Sequence, residues 1–386
     1  VEIPRTLLVT NDFPPKVGGI QRTLHALVRE LPADRISVFA PRWEGAEEFD
    51  AWEPYWVTRA QREFLWPTRG VRRRLDGLVA AEGIEVVVFG ATYPLAMLGP
   101  GLAKRGIPYL PAAHGFEYWL SLAPGMHGLM RRATSRAARV PVMCSSFIAR
   151  VVRTAVPKGV PVSVMYPGAD IQAFHPDLPT AEIRARHLLA DRPLVVCVSR
   201  LVARKGQDVL IRAMPAVRQR VPDATLLIVG EGPYRRTLER LAAGSPPGSV
   251  VFAGQVSEEE LPRYYAAGDL FAMPCRTRLG GLEVEGWGNV FIEAAACGRA
   301  VVAGDSGGAR EALIDGSTGL LVDGSSVARV GDAVATLLAD PALARAMGRA
   351  GRERVERFYT WHRAAEQLAG WLREAADSTG PAAPSE

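Results

Sequence analysis

Residues 5–31 read RTLLVTNDFPPKVGGIQRTLHALVREL, and their pattern decides the architecture. RTLLVT is a short apolar run suited to a buried strand, and NDFPPKVGG ends it with paired prolines and paired glycines. Beyond the glycines, Ile20, Leu24, Leu27, Val28 and Leu31 recur at helical spacing on one face. Strand, glycine loop and helix in that order open a doubly wound α/β fold.

The alternation continues through ISVFA, VVVFG, YLPAAH and VPVMCS, which implies an open parallel sheet wrapped by helices. It stops at VMYPGADIQAFHPDLP, residues 164–179, where three prolines and a glycine intervene. It resumes with LVVCVSR, a helix from Gln207, TLLIVGEG, VVFAG, LFAMPC, AVVAGD and GLLVD. At 386 residues the chain exceeds what one core usually serves. The expected fold class is therefore α/β with two Rossmann-like domains facing each other across a cleft, residues 1–168 and 169–360. A terminal helix is expected over 361–376, with a disordered tail over 377–386.

Cys144, Cys197, Cys275 and Cys297 are scattered with no CxxC or zinc spacing, which fits a reducing cytoplasm and no disulfide framework. VEIPRTLLVTND lacks the apolar core of a signal peptide, and the longest uncharged run, residues 86–103, is cut by three glycines and two prolines, unlike a membrane span. The net charge of +5 lies entirely in residues 1–180, where Lys and Arg number 21 against 16 Asp and Glu; the remainder balances at 25 and 25. Arg59, Arg62, Arg69, Arg72, Arg73 and Arg74 surround Phe64-Leu65-Trp66, and Arg131, Arg132, Arg136 and Arg139 form a second group. Such mixtures suit an anionic membrane surface, with Arg72, Arg73, Arg74 and Trp66 as contacts; a solvated helix face is the bland alternative. No nucleic-acid motif accompanies the charge.

A second stretch carries chemistry: EGWGNVFIE, residues 285–293. Gly286 and Gly288 argue against continuous helix, and Asn289 is a good N-cap for the apolar VFIEAAAC. Glu285 then sits in the loop, Glu293 one turn inside the helix, and the amides of residues 290–292 lie between them. Amides favour an anion, and carboxylates accept from hydroxyls, so a nucleotide sugar fits; a capped helix with two solvated glutamates fits equally well.

NDFPPKVGGIQ, AAHGFE, PGAD, SRLVARKGQDVLI, LLIVGEGP, VVFAGQV and EGWGNVFIEAAACG, in this order and spacing, resemble the family 4 retaining glycosyltransferases of the GT-B fold over essentially the full chain. Within that family, FPPKVGGIQ, RTRLGGLEVEG and SRLVARKGQD resemble the actinobacterial branch that mannosylates phosphatidylinositol mannosides from GDP-mannose. The resemblance implies a C-terminal helix crossing back to the first domain and an enzyme peripheral to the inner face of the plasma membrane. Its acceptor would be an inositol phospholipid.

Site roles follow. Arg200, or Arg204 in its place, and Lys205 would meet the departing diphosphate, where negative charge grows. Only four lysines occur against 42 arginines, yet Lys16 and Lys205 both lie in proposed phosphate loops. Gly18 and Gly19 would admit the diphosphate, and His114 would face the cleft and bond the transferred sugar, although a lone loop histidine more often has a structural partner. Glu285 would hold sugar hydroxyls, Glu293 the ribose, Gly254-Gln255-Val256 the base, and Gly288-Asn289-Val290 the donor through the helix start. No Asp-x-Asp pair occurs, so no metal cofactor is expected, the fixed cations substituting for it. Rival readings are a transferase with another nucleotide sugar and a soluble acceptor, a sugar-nucleotide epimerase, a phosphorylase and a bilobal sugar-binding protein.

Overall fold

The computed structural model of the protein describes residues 2–123 and 125–378. The opening strand β1 (Thr6–Val9) is buried throughout, as its unbroken apolar run requires of a central parallel strand. With β2 (Ile36–Pro41), β3 (Trp56–Ala60), β4 (Val86–Phe89) and β5 (Tyr109–Pro111) it forms a sheet in the order β3-β2-β1-β4-β5, every pairing parallel. The edge strand β3 is half exposed, which is why WVTRA carries little of the apolar signal that marks its neighbours. A short parallel pair, β6 (Val140–Val142) and β7 (Val162–Val164), joins this sheet through a bridge from Ala113 to Val142.

The helix Gly19–Arg29 buries Leu24, Leu27 and Val28 against Leu8 and Val88 of the sheet. The helix Trp361–Asp377 enters the same core with Ala364, Leu368, Trp371 and Leu372, so the chain's last described helix belongs to its first unit. Burying each such leucine contributes roughly 2 kcal/mol. Arg139 pins the helix from outside: its guanidinium stacks over Trp371 at 5.3 Å and pairs with Glu374 at 2.7 Å. That engagement removes Arg139 from the second basic group.

The other unit, Gly168–Thr360, carries β8 (Leu194–Val198), β9 (Thr225–Val229), β10 (Val250–Gly254), β11 (Leu270–Met273), β12 (Ala300–Gly304) and β13 (Gly319–Val322). Their order is β10-β9-β8-β11-β12-β13, all parallel. The four inner strands are fully buried and the two edges only partly so. The unit boundary falls at Pro167/Gly168, inside the expected proline-rich break, and the amide of Ala169 donates to the Tyr359 carbonyl at 2.8 Å, tying the unit's two ends together. Residues 379–386, most of the tail expected to be disordered, lie outside the described residues. Among the described residues no helix is long and apolar enough to cross a membrane.

Each sheet reverses its strand order once, between β1 and β4 in the first unit and between β8 and β11 in the second. Loops leaving the C-terminal ends of such a strand pair diverge and open a crevice, the usual ligand position of this architecture.

Candidate active site

In the second unit the loop after β8 supplies Arg200, Arg204 and Lys205, and the loop after β11 supplies Glu285. The first loop is set by Gln207, fully buried, whose amide nitrogen donates to Ser199 Oγ at 2.8 Å and to the Arg200 carbonyl at 3.1 Å. Gly206 then starts the helix Gln207–Arg220 at φ 80°, with its Cα packed so closely that a Cβ would sit 2.0 Å from the Pro274 carbonyl oxygen. Only glycine fits there. Asp208, one residue into the helix, holds Arg276 at 3.0 Å and Arg212 at 2.7 Å, and the Arg276 amide donates to the Arg204 carbonyl at 2.8 Å. The two loops are thereby laced together.

Their side chains meet at one atom. Glu285 Oε2 receives Lys205 Nζ at 2.6 Å and Arg204 Nη1 at 2.7 Å. The carboxylate is nearly inaccessible, Lys205 is largely buried, and Arg204 is about a third exposed. Burial would raise the Glu285 pKa, but the Lys205 and Arg204 charges and their hydrogen bonds outweigh it and hold the group below the ordinary carboxylate range. Its backbone is fixed too: the Glu285 amide donates to Ser306 Oγ at 3.2 Å and its carbonyl accepts from the Gly308 amide at 2.8 Å. The glycine loop after β12 is thus the rear wall of the site, a role not drawn from its sequence, GDSGG. Arg200 stands apart, exposed, with its side chain in no ion pair among the described residues. Of the two arginines expected at the diphosphate, Arg204 is the one that pairs with Glu285.

The EGWGNVFIE helix runs Asn289–Ala296, and its cap is Gly288 at φ 87°, not Asn289. The reason is steric: a Cβ on Gly288 would meet the Phe291 ring at 2.6 Å, so the turn closes only on glycine. The Phe291 amide donates back to the Gly288 carbonyl at 3.0 Å, which leaves fewer of the helix-start amides for a ligand than the sequence suggests. Val290 is half exposed beside them. Glu293 is partly buried, and its Oε2 accepts from the Tyr265 hydroxyl at 2.6 Å, which aims the carboxylate. In the base segment, Gly254 closes β10 at φ 75° and its carbonyl accepts from the Gly230 amide at 2.7 Å; Gln255 is exposed and Val256 half-buried. Arg235 covers Phe252 at 4.6 Å.

In the first unit, Gly18 is extended and Gly19 begins the helix with no atom within 4 Å of its would-be Cβ, an open approach to the first amides. Lys16 lies over the Trp43 ring at 4.5 Å. His114 is buried, and its Nε2 lies 2.9 Å from the Gly90 carbonyl. A carbonyl only accepts, so Nε2 carries the proton and Nδ1 is the acceptor in the neutral ring. Three residues on, Glu117 is almost wholly buried and its two oxygens accept the amides of His114 at 2.7 Å and Thr92 at 3.2 Å. This clamp between the β4 and β5 loops is absent from the roles expected above, and the three-residue spacing in HGFE is its sequence signal.

On the basic surface, Arg72, Arg73 and Arg74 are exposed on the helix Arg69–Ala81, with Arg72 3.8 Å from Asp76. Trp66 is exposed against Phe64, ring centroids 4.9 Å apart. Leu65 departs from the Phe64-Leu65-Trp66 triplet that the sequence sets among the arginines: it is buried, its amide and carbonyl bonded to the Asn11 side chain at 2.7 and 3.1 Å.

Two doubly wound units, one with a cation pair on a buried carboxylate at its switch point, have the architecture of the GT-B fold. The family model "Glycosyltransferase Family 4" matches residues 17–173, and "Glycosyl transferases group 1" matches 179–354. The chain is 46% identical over 377 residues, 95% of its length and 97% of the relative's, to a GDP-mannose-dependent alpha-(1-6)-phosphatidylinositol monomannoside mannosyltransferase of Mycolicibacterium smegmatis. It is 39% identical, over 96% and 98%, to a GDP-mannose-dependent monoacylated alpha-(1-6)-phosphatidylinositol monomannoside mannosyltransferase of Corynebacterium glutamicum. It belongs to the family 4 glycosyltransferases. Among solved structures, a sucrose-phosphate synthase of Thermosynechococcus elongatus aligns at TM-score 0.76 with 24% identity, covering 97% of this chain and all of that one. An Anabaena HepE protein in complex with UDP and glucose aligns at 0.78 with 20% identity, over 96% and 99%. Both likenesses concern the fold.

Proposed function

We propose that the protein transfers mannose from GDP-mannose to a phosphatidylinositol mannoside, with retention at the sugar carbon. The observation that carries this is the near-complete, high-identity match to mannosyltransferases so named, joined to a cation cluster suited to a diphosphate. Bond cleavage moves negative charge onto the leaving GDP. Lys205 and Arg204, both held by Glu285, are fixed positive groups for that charge, and the exposed Arg200 of the same loop adds a third cation.

Glu285 is nearly inaccessible and spends Oε2 on Lys205 and Arg204, so its second oxygen, an acceptor only, is what it can offer a sugar hydroxyl. Glu293, oriented by Tyr265, suits the ribose, and Gly254-Gln255-Val256 the base. His114 offers Nδ1 to a donor hydroxyl. Retention is assigned to attack on the face from which the phosphate departs, the phosphate taking the acceptor's proton. With these cations, and with no Asp-x-Asp in the chain, no divalent metal is required. The acceptor is a lipid, so the chain works at an anionic membrane, peripherally and on the cytoplasmic face, with Arg72, Arg73, Arg74 and Trp66 among its contacts.

Calorimetry with GDP-mannose and UDP-glucose tests the donor. Binding of GDP-mannose alone, undiminished by EDTA, is expected; preference for UDP-glucose, or loss of binding on chelation, contradicts the reading.

A further inference from the structure

The helix Phe116–Leu122 follows the His114 loop directly. It turns Glu117, Tyr118, Leu120 and Ser121 inward and leaves Phe116 58%, Trp119 38% and Leu122 49% exposed. At about 100° per residue, positions three apart fall within one arc of roughly 120°, so the three side chains make a single apolar stripe. The next helix, Met126–Ala133, packs against it and carries Arg131 and Arg132 to solvent; Arg136 follows, also exposed. None of these three guanidinium groups pairs with a carboxylate among the described residues. The basic helix Arg69–Ala81 adjoins through the helix Gly99–Ala103, which packs on Met126–Ala133 and lies 3.6 Å from Arg72 Nη2 at the Cβ position of Gly101.

A stripe of Phe, Trp and Leu flanked by uncompensated arginines has the composition of an interfacial anchor: apolar groups for the acyl boundary, an indole for the headgroup level, cations for phosphates. We infer that Phe116, Trp119 and Leu122 insert into the headgroup boundary of an anionic phospholipid bilayer while Arg131, Arg132 and Arg136 bind lipid phosphates. The inference rests on the lipid-acceptor reading above and adds the surface that meets the lipid. Phe116 is two residues from His114, so docking this stripe brings the His114 loop to the bilayer face where a lipid-borne sugar lies.

The test is co-sedimentation of the full chain with vesicles of phosphatidylcholine, with and without phosphatidylinositol, at two salt concentrations. The parent binds the anionic vesicles and is released by salt. F116S/W119S weakens that binding by roughly tenfold or more, and R131Q/R132Q weakens it and flattens its salt dependence. Melting temperature and GDP affinity stay at parental values in both. Should F116S/W119S prove unstable, W119F serves: brominated lipid quenches the parent's tryptophan emission and quenches that of W119F less. Equal binding of F116S/W119S and parent, or concentration-dependent self-association abolished by F116S/W119S, overturns the inference. A parent that mannosylates detergent-dispersed acceptor but binds no vesicle also overturns it and leaves the acceptor reading standing. A parent that transfers nothing to a lipid acceptor refutes that reading instead.

Discussion

Replacing Lys205 by methionine keeps the buried stem and removes the charge, and its cost can be worked from the geometry. Nζ lies 2.6 Å from Glu285 Oε2, which also holds Arg204 at 2.7 Å. Stripping a buried carboxylate of its only cation costs about 3–5 kcal/mol. Here Arg204 stays, so the loss in stability should be about 1–2 kcal/mol, or roughly 3–6 °C in the melting of a unit this size. The kinetic cost is larger. Lys205 is the least exposed of the three cations assigned to the leaving diphosphate, and deleting one such preorganised group costs on the order of 10² to 10³ in kcat. Initial rates with GDP-mannose and a lipid acceptor, beside a thermal melt of the same preparation, separate the two effects. Near-parental turnover in a folded variant would remove Lys205 from the reaction, and a melting loss beyond 10 °C would show a structural role dominating.

Other outcomes follow from the same contacts. Glu285 has its folded pKa depressed, so the stability it supplies is complete above the unfolded carboxylate value of about 4.3 and drains as pH falls through the folded one. Acid titration of parent and Glu285→Gln should converge below that window and diverge above it; parallel curves would deny the ion pairs. Glu293→Gln and Tyr265→Phe should both weaken GDP binding, because the hydroxyl aims the carboxylate at 2.6 Å; a loss confined to GDP-mannose would place Glu293 at the sugar instead. Gly206→Ala should cost about 3 kcal/mol or more in chemical denaturation, since its Cβ would lie 2.0 Å from the Pro274 oxygen, and a neutral effect would refute the packing. Burial pushes the Cys197 and Cys297 thiols up to about 12 and Cys275 well above the ordinary range, so a thiol reagent at pH 8 should label these three only after denaturant is added.

How much of this lay open in the sequence depended on the physical signal. Inner strands such as β1 and β8 are buried on both faces and read as unbroken apolar runs, whereas the edge strand β3 is half exposed and left no such trace. Lys205 and Glu285 were legible because glycines and rare lysines mark the loops that carry them. Their direct contact was not, since 80 residues separate them and only the crossover between β8 and β11 brings those loops together. Asn289 misled because local propensity favours it as a cap, while a tertiary contact, Phe291 packed over Gly288, gives that place to glycine. Glu117 leaves only the three-residue spacing of HGFE as a trace, because its partners are backbone amides, which every sequence possesses. Leu65 and Arg139 lie near exposed residues in sequence, but burial takes Leu65 to the interior, and contacts with Trp371 and Glu374 commit Arg139 to packing.

The central claim is most directly tested by incubating the purified chain with radiolabelled GDP-mannose and phosphatidylinositol monomannoside, with UDP-glucose and a soluble inositol acceptor as controls. Label should pass to the organic phase only with GDP-mannose and the lipid together, and the product's new linkage should be α by its anomeric carbon–proton coupling. Transfer from UDP-glucose, transfer only to the soluble acceptor, or a β linkage would contradict it.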